Sequence, residues 1–178
     1  IFTSGTTGTP KGAQLTQKNI VDLVSCTEKL IPLNEEDNIP LFHSIAFDLS
    51  VWEIWTALSY GGTLTVVPEN IARSTGDFVE LIINNNVTVL NQTPTAFRQL
   101  ISYCINNKIA YLPIKCVLLG GEKANPRDYL EWSQIFSNVK IYNLYGITET
   151  TVHATFSELT FDMMSANKSD IGLPLPGK

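Results

Sequence analysis

The chain has 178 residues, of which 44% are hydrophobic and 16% charged, which is enough apolar material for a sizeable core and too much for a disordered chain. Twelve basic residues against 17 acidic ones leave a net charge of −5, so no cationic surplus exists to neutralise a nucleic-acid backbone or an anionic membrane over a broad surface. No apolar run approaches the roughly 20 residues that cross a bilayer, and Cys26, Cys104 and Cys116, odd in number and far apart, form neither a disulfide framework nor a zinc signature.

The chain opens with Ile1-Phe2-Thr3 directly before a Gly/Thr-rich loop, without an initiator Met, and reads as an internal piece of something longer. A reducing cytosol is the simplest setting for its cysteines. A helix is predicted over residues 16–30. From Asn38 onward, short β-branched runs alternate with longer stretches of helical period, the rhythm of an α/β sheet. Ser50 with Glu53 three residues on fits a capping box, followed by a Val51, Ile54, Trp55, Leu58 stripe that ends at Gly61-Gly62 and leaves Trp52 off the stripe. Strands follow over 63–67, 87–90, 115–119 and 139–142, with a helix over 77–84. Thr93-Pro94 and Asn125-Pro126 mark two further helix starts, each a capping side chain before a proline. The Val, Ile and Leu content of the strands suits burial on both faces. Residues 163–170, polar and without period, read as a surface loop.

In open α/β sheets, ligands sit beyond the carboxyl ends of the parallel strands. Asn91-Gln92-Thr93, Gly120-Gly121-Glu122 and the stretch 143–151 all follow predicted strands there, which points to a single convergent site. Residues 3–12 read TSGTTGTPKG: three glycines, hydroxyl side chains and Lys11 together suit a polyphosphate. The string is not a Walker loop, because Pro10 stands where that pattern needs glycine, and an ordinary Gly/Thr surface loop has the same composition.

Tyr145-Gly146-Ile147-Thr148-Glu149 offers a flat aromatic for a purine, a glycine for a turn, a hydroxyl, and a hard oxygen ligand for Mg²⁺, although Glu149 also fits a solvated loop acid. Gly120-Gly121 permits close approach of backbone to a flat ligand or serves as a turn device alone. Asp48 stands in an apolar neighbourhood, where a cationic ligand relieves its charge; the competing reading is a helix N-terminal acid. His43 reads as structural.

TSGTTGTPKG resembles the phosphate-loop signature of the adenylate-forming superfamily. FDLSVWE, LNQTPTAF, LLGGE and NLYGITETTVHAT follow in that superfamily's order, and together the motifs resemble an adenylation domain of a nonribosomal peptide synthetase, across nearly the whole chain. The resemblance implies the layered α/β sheet of the large N-terminal domain of these enzymes, incomplete at both ends, with the small C-terminal subdomain beyond residue 178. It implies activation of an amino acid with ATP and Mg²⁺, release of pyrophosphate, and transfer to the phosphopantetheine thiol of a peptidyl carrier protein, with a condensation domain as neighbour. Thr3, Ser4, Gly5, Thr6, Thr7, Gly8 and Lys11 carry over as the phosphate loop, and Gly120, Gly121 and Glu122 as the edge of the adenine pocket. Asn143 carries over as the contact to the purine amino group, Tyr145 with Gly146 as the stacking segment, Thr148 as a phosphate contact and Glu149 as the magnesium ligand. Lys11, Thr148 and Glu149 are the implied catalytic set. Asp48 carries over as the anchor of the substrate ammonium group, a charge that acyl-CoA and aryl-acid ligases of the superfamily do not need. The substrate pocket maps to Leu49, Trp52, Asn91, Leu118, Gly120, Leu144, Val152 and His153. This small aliphatic set, with polar Asn91 and His153, is similar to that of threonine-activating domains, so L-threonine is the expected substrate.

Overall fold

A computed structural model describes residues 1–3 and 8–176 of the chain. A short hairpin, β1 (Phe2–Thr3) with β2 (Lys11–Gly12), precedes helix α1 (Gln17–Glu28). The helix expected over residues 16–30 is capped by Thr16: its hydroxyl accepts from the Asn19 N–H, and Asn19 Oδ1 accepts from the Thr16 N–H at 3.0 Å. Strand β3 (Asn38–Leu41), helix α2 (Leu49–Ser59) and strand β4 (Thr63–Val66) form a βαβ unit in which the two strands pair in parallel. Two further helices, α3 (Glu69–Ala72) and α4 (Thr75–Asn84), lead to β5 (Val89–Gln92).

Helix α5 (Pro94–Asn106) starts where Thr93-Pro94 predicts, with the Thr93 hydroxyl accepting from the Ala96 N–H. It leads to β6 (Cys116–Leu119), a 3₁₀ turn (Pro126–Tyr129), α6 (Leu130–Ile135) and β7 (Lys140–Tyr145). The chain then passes a second 3₁₀ turn (Thr148–Thr150), β8 (Thr155–Glu158), α7 (Phe161–Ser165) and β9 (Leu173–Pro174). Strands β5, β6 and β7 are parallel, and β8 and β9 extend their sheet antiparallel. The Thr88 N–H donates to Asn38 O at 3.0 Å and the Asn38 N–H to Thr88 Oγ1 at 3.0 Å, which ties the β3–β4 pair to β5.

The period-2 geometry of β6 sorts its side chains into two cores. Val117 and Leu119 enter a cluster with Phe78, Ile82, Phe97 and Trp132 from α4, α5 and α6, whereas Cys116 and Leu118 enter one with Leu23 of α1 and Trp52 of α2. Helices thus cover both faces, as the apolar strand composition requires. All three cysteines are free and buried, and burial pushes the Cys116 thiol up to about 12.

Several expectations change. Helix α2 has no Ser50–Glu53 capping box: Ser50 Oγ donates to Phe47 O, and Glu53 is wholly buried. The buried face of α2 is Leu49, Trp52, Glu53, Thr56 and Ala57, while Trp55 and Leu58 of the expected stripe are about half exposed. The apolar pattern alone does not register the polar residues that this core accepts. Strand β5 begins two residues later than expected and runs on to Gln92, and β7 continues to Tyr145. Pro126 opens a 3₁₀ turn without a side-chain cap, because Asn125 Nδ2 donates to Asp128 Oδ1 at 2.6 Å instead. Residues 163–170 begin inside α7, whose Met164 is buried in the larger core.

Candidate active site

The parallel order brings polar and small residues to one edge. Asn91 and Gln92 close β5, Gly120 and Gly121 follow β6, and β7 carries Asn143 and Leu144 out to Tyr145. Beyond the second 3₁₀ turn, Thr151 (φ 64°) and Val152 (φ 65°) are left-handed, and the chain doubles back along the sheet. Non-glycine residues are sparse in this region, so the surrounding fold holds the reversal in place. A Cβ at Gly146 would lie 2.1 Å from the Val152 carbonyl oxygen, so this crossing alone demands glycine.

A cavity of about 430 Å³ opens at this edge. Gly121, Glu122, Asn143, Tyr145 and Gly146 line it, as the sequence pattern anticipates, and Ser169 and Ile171 close it. Those two were missed, because nothing local in an aperiodic polar stretch marks it as a cavity wall. The Tyr145 ring is 53% exposed. Asn143 Nδ2 donates to Asp170 O at 2.7 Å, and Oδ1 is the acceptor of that amide. Glu122 is tethered to the first turn of α5, accepting from the Thr95 N–H at 3.1 Å and the Thr95 hydroxyl at 2.5 Å.

A second cavity, about 590 Å³, is lined by Glu149, Thr150 and Thr151 with Asn19 and Asp22 of α1. The single crevice expected from sequence is therefore divided, with Tyr145 on one cavity and Glu149 on the other. Carboxylate and hydroxyl oxygens of this kind suit Mg²⁺, which keeps waters and takes substrate phosphate oxygens rather than an all-protein cage. Asp22 already pairs with Lys18 Nζ at 2.7 Å, and among the described residues no group of three or more His, Cys, Asp or Glu could hold a metal unaided. Glu149 fits the ion as one ligand among several.

Asp48 joins the two halves. Thr148 Oγ1 donates to Asp48 Oδ2 at 2.7 Å across 100 residues of chain. Asp48 makes no side-chain cap to α2, so its carboxylate serves the loop after β7 rather than the helix it precedes. Leu49, Trp52, Leu118, Leu144 and Val152 lie in one apolar cluster and are at most 4% exposed. A Cβ on Gly120 would stand 3.3 Å from His153 Cε1 and 3.4 Å from Leu49 Cδ2, so these three residues meet. The Trp52 ring lies 6.3 Å from that of His153, and its Nε1 donates to Thr27 Oγ1 at 3.2 Å. Asn91 Nδ2 donates to Leu49 O at 3.3 Å. Eight of the nine candidate pocket positions meet through these contacts, and Asp48 directly precedes Leu49 in the chain.

The phosphate-loop candidates are less gathered. Thr3 and Lys11 are paired across the hairpin, with the Thr3 hydroxyl donating to Lys11 O at 3.4 Å, and Gly8 has φ 82°. Thr3, Gly8 and Lys11 line neither of the two cavities. Ser4, Gly5, Thr6 and Thr7 lie outside the described residues.

Glu53 is the polar residue that the sequence most misrepresents. Its Oε2 accepts from the N–H groups of Phe42 (3.1 Å) and His43 (3.2 Å), and its Oε1 meets His43 Nδ1 (2.5 Å) and Asn91 Nδ2 (3.4 Å). Burial pushes its pKa up, with the His43 contact pulling the other way. A buried acid three residues after a serine has the same spelling as a capping box.

The family profile described as AMP-binding enzyme matches residues 1–178. The chain belongs to this family. It is 44% identical over 175 residues to a plipastatin synthase polypeptide of Bacillus subtilis, a match that covers 98% of this chain and 7% of that protein. It is 42% identical over 180 residues to syringomycin synthase SyrB1 of Pseudomonas syringae, covering 99% of this chain and 29% of that protein. The chain thus spans less than a third of these curated relatives. Among solved structures, the Vibrio cholerae adenylation domain AlmE in complex with glycyl-adenosine-5'-phosphate matches with TM-score 0.77 and 29% identity, over 90% of this chain and 30% of that one. The N-terminal subdomain of Klebsiella oxytoca NpsA in complex with 3-hydroxyanthranilyl-AMSN matches with TM-score 0.82 and 26% identity, over 99% of this chain and 44% of that one. The layered α/β fold expected from sequence is the fold of these adenylation-domain structures. No helix among the described residues is long and apolar enough to cross a membrane.

Proposed function

We propose that this chain is the core of the large subdomain of an amino-acid-activating adenylation domain. Its product is an aminoacyl-AMP destined for the phosphopantetheine thiol of a carrier protein within a peptide synthetase. The observation that carries this reading is the Asp48 carboxylate: half-buried, adjacent in the chain to Leu49 of the closed group, and held at 2.7 Å by Thr148, three residues after Tyr145. A carboxylate so placed is matched by an ammonium group. The glycyl adenylate in AlmE supports the same pairing of amino acid and nucleotide.

In the reaction, a substrate carboxylate oxygen bonds to the α-phosphorus of ATP while the bond from that phosphorus to the bridging oxygen breaks, and pyrophosphate leaves with the electron pair. The protein's part is to align the reactants and offset charge. Tyr145 stacks the purine, and Asn143 Oδ1 accepts from its amino group. The loop from Thr3 to Lys11 holds the outer phosphates, and Thr148 is the α-phosphate contact, its one hydroxyl proton turning from Asp48 to a phosphate oxygen when nucleotide binds. Glu149 is the ligand for Mg²⁺, which when bound neutralises phosphate charge. Asp48 fixes the ammonium end, so that the carboxylate end faces the nucleotide.

The side-chain pocket is small and aliphatic with two polar residues, Asn91 and His153, which supports L-threonine as substrate. An unpaired buried polar atom costs about 1–3 kcal/mol, so valine, the isostere without a hydroxyl, is disfavoured. The test is amino-acid-dependent ATP–pyrophosphate exchange in the full-length protein that carries this chain, with threonine, serine and valine in competition. Threonine is expected to lead and valine to trail by about tenfold or more, on the order expected from that penalty. Exchange with an aryl or fatty acid alone refutes the amino-acid class, and ATP binding without any exchange refutes catalysis.

A further inference from the structure

Resting on the threonine reading, we propose that Glu53 is a positioning residue that fixes which end of the Asn91 carboxamide faces the substrate. An ionised carboxylate is acceptor-only, with about four lone-pair sites. At Glu53 two backbone N–H groups and Asn91 Nδ2 donate, and His43 Nδ1 makes the fourth contact. The Leu49 carbonyl, also acceptor-only, takes a second bond from Asn91 Nδ2 at 3.3 Å. With acceptors on both contacts, the amide cannot turn over without setting oxygen against oxygen. Asn91 Oδ1 is therefore directed away from α2, and it is buried without a hydrogen-bond partner among the described residues.

Asn91 pairs with Leu118 in the sheet register, two residues before Gly120, where Leu49 and His153 converge. The pocket accordingly presents a fixed acceptor, and a side chain that donates a hydrogen bond satisfies it. Threonine, serine or a short ammonium-bearing side chain does this, and valine does not. Glu53 touches no substrate and acts through Asn91. His43 holds the carboxylate by its Nδ1 and lies outside the pocket group itself.

The test uses the full-length protein and reads kcat/KM for threonine and for valine in pyrophosphate exchange. Glu53→Gln replaces an acceptor-only group with one that offers an N–H₂ to Asn91 Oδ1, so the Asn91 amide loses its fixed sense. The threonine-over-valine ratio is expected to fall about tenfold, the size of one lost buried hydrogen bond. His43→Leu, which removes one of the four contacts while keeping the carboxylate, is expected to lower the ratio in the same direction by less, and it serves if Glu53→Gln does not fold. Asn91→Leu is expected to lower the ratio as far as Glu53→Gln does, and combining the two is expected to lower it no further. Equal losses for both amino acids, or an unchanged ratio in the single variants, overturn the positioning role while leaving the threonine reading intact. A wild-type protein that does not prefer threonine to valine overturns both.

Discussion

The two ends of the parallel strands differ in the buried polar atoms they leave unpaired. At the amino ends, Asp37 is 3% exposed and fully engaged: Oδ1 accepts from the Thr88 hydroxyl at 2.6 Å and Lys115 Nζ at 2.7 Å, and Oδ2 accepts from the Asn34 N–H at 3.0 Å. Asp37, Thr88 and Lys115 stand immediately before β3, β5 and β6, so the cluster pins three strands in register. At the carboxyl ends, Asn91 Oδ1, Gln92 Nε2 and His43 Nε2 are buried with no hydrogen-bond partner among the described residues. Native interiors leave few such atoms, and those that remain call for an explanation. The Asp37 cluster closes on itself and contributes stability, although Thr56 Oγ1 nearby is buried without a hydrogen-bond partner among the described residues. The carboxyl end keeps polar valence open, as a site for a polar ligand must.

The largest test of this division is Asp48→Ala. Removing the anchor leaves a substrate ammonium without its counter-charge, a loss of about 3 kcal/mol for a broken buried pair, or on the order of 100-fold in kcat/KM for amino-acid-dependent exchange. ATP affinity by calorimetry is expected to stay within about twofold, because Asp48 is not among the residues that line the Tyr145 cavity. Comparable losses in ATP binding would merge the two sub-sites and remove the distinction between an anchor for the amino acid and one for the nucleotide.

At the opposite end, Asp37→Asn is expected to lower folding stability by about 2 kcal/mol, less than a fully buried pair because Lys115 is 47% exposed. Equilibrium unfolding in urea reads this directly. Substrate preference in exchange is expected to remain unchanged. A shift in the threonine-over-valine ratio from this variant would mean that the amino-end cluster reaches the site through the strands.

Next in size is Tyr145→Ala. A base stacked on an aromatic contributes about 1–3 kcal/mol, so ATP affinity is expected to fall about tenfold, whereas Tyr145→Phe keeps the ring and is expected to be neutral. Calorimetric titration with ATP separates the two. An equal loss in both variants would assign the contribution to the phenol oxygen and not to the ring face.

Legibility in the sequence follows the same geography. The sheet was readable where local pattern and burial agree: β6 carries apolar side chains on both faces, and Thr93-Pro94 spells a helix start that the Thr93 hydroxyl then makes. The cavity lining was readable where it lies on strand ends, at Gly121, Asn143 and Tyr145. Features built from long-range partners were not. Glu53 finds His43 at a separation of 10 residues and Asn91 at 38, and its local setting imitates a cap. Ser169 and Ile171 reach the cavity because Asn143 binds the Asp170 carbonyl 27 residues away, and no periodicity encodes that contact. Gly146 reads as a turn glycine, but its constraint comes from the Val152 carbonyl crossing over it.

The smallest expected effect is one of sign, and it separates the ends most cleanly. Burial works to raise the Asp37 pKa, but hydrogen bonds from Lys115, Thr88 and Asn34 outweigh it and hold the group below its ordinary value. Such an acid stabilises the fold fully above its unfolded pKa, about 3.9, and that contribution is lost as pH falls through the lowered folded value. Glu53 is the reverse, because burial raises its pKa above the unfolded value of about 4.3. Its cost is absent below that unfolded value, grows as pH rises toward the folded one, and is complete above it. On acidification from neutrality, wild type is therefore expected to regain the Glu53 contribution first and to lose the Asp37 contribution at lower pH. Urea unfolding at several pH values, with Asp37→Asn and Glu53→Gln beside wild type, resolves the two. The stability gap between wild type and Asp37→Asn closes only below about pH 4. Glu53→Gln removes the titration at the other end, so wild type gains on that variant as pH falls from neutrality toward the unfolded pKa of the acid. Gaps that change with the same sign would mean that the contacts of Glu53 outweigh its burial, as those of Asp37 do.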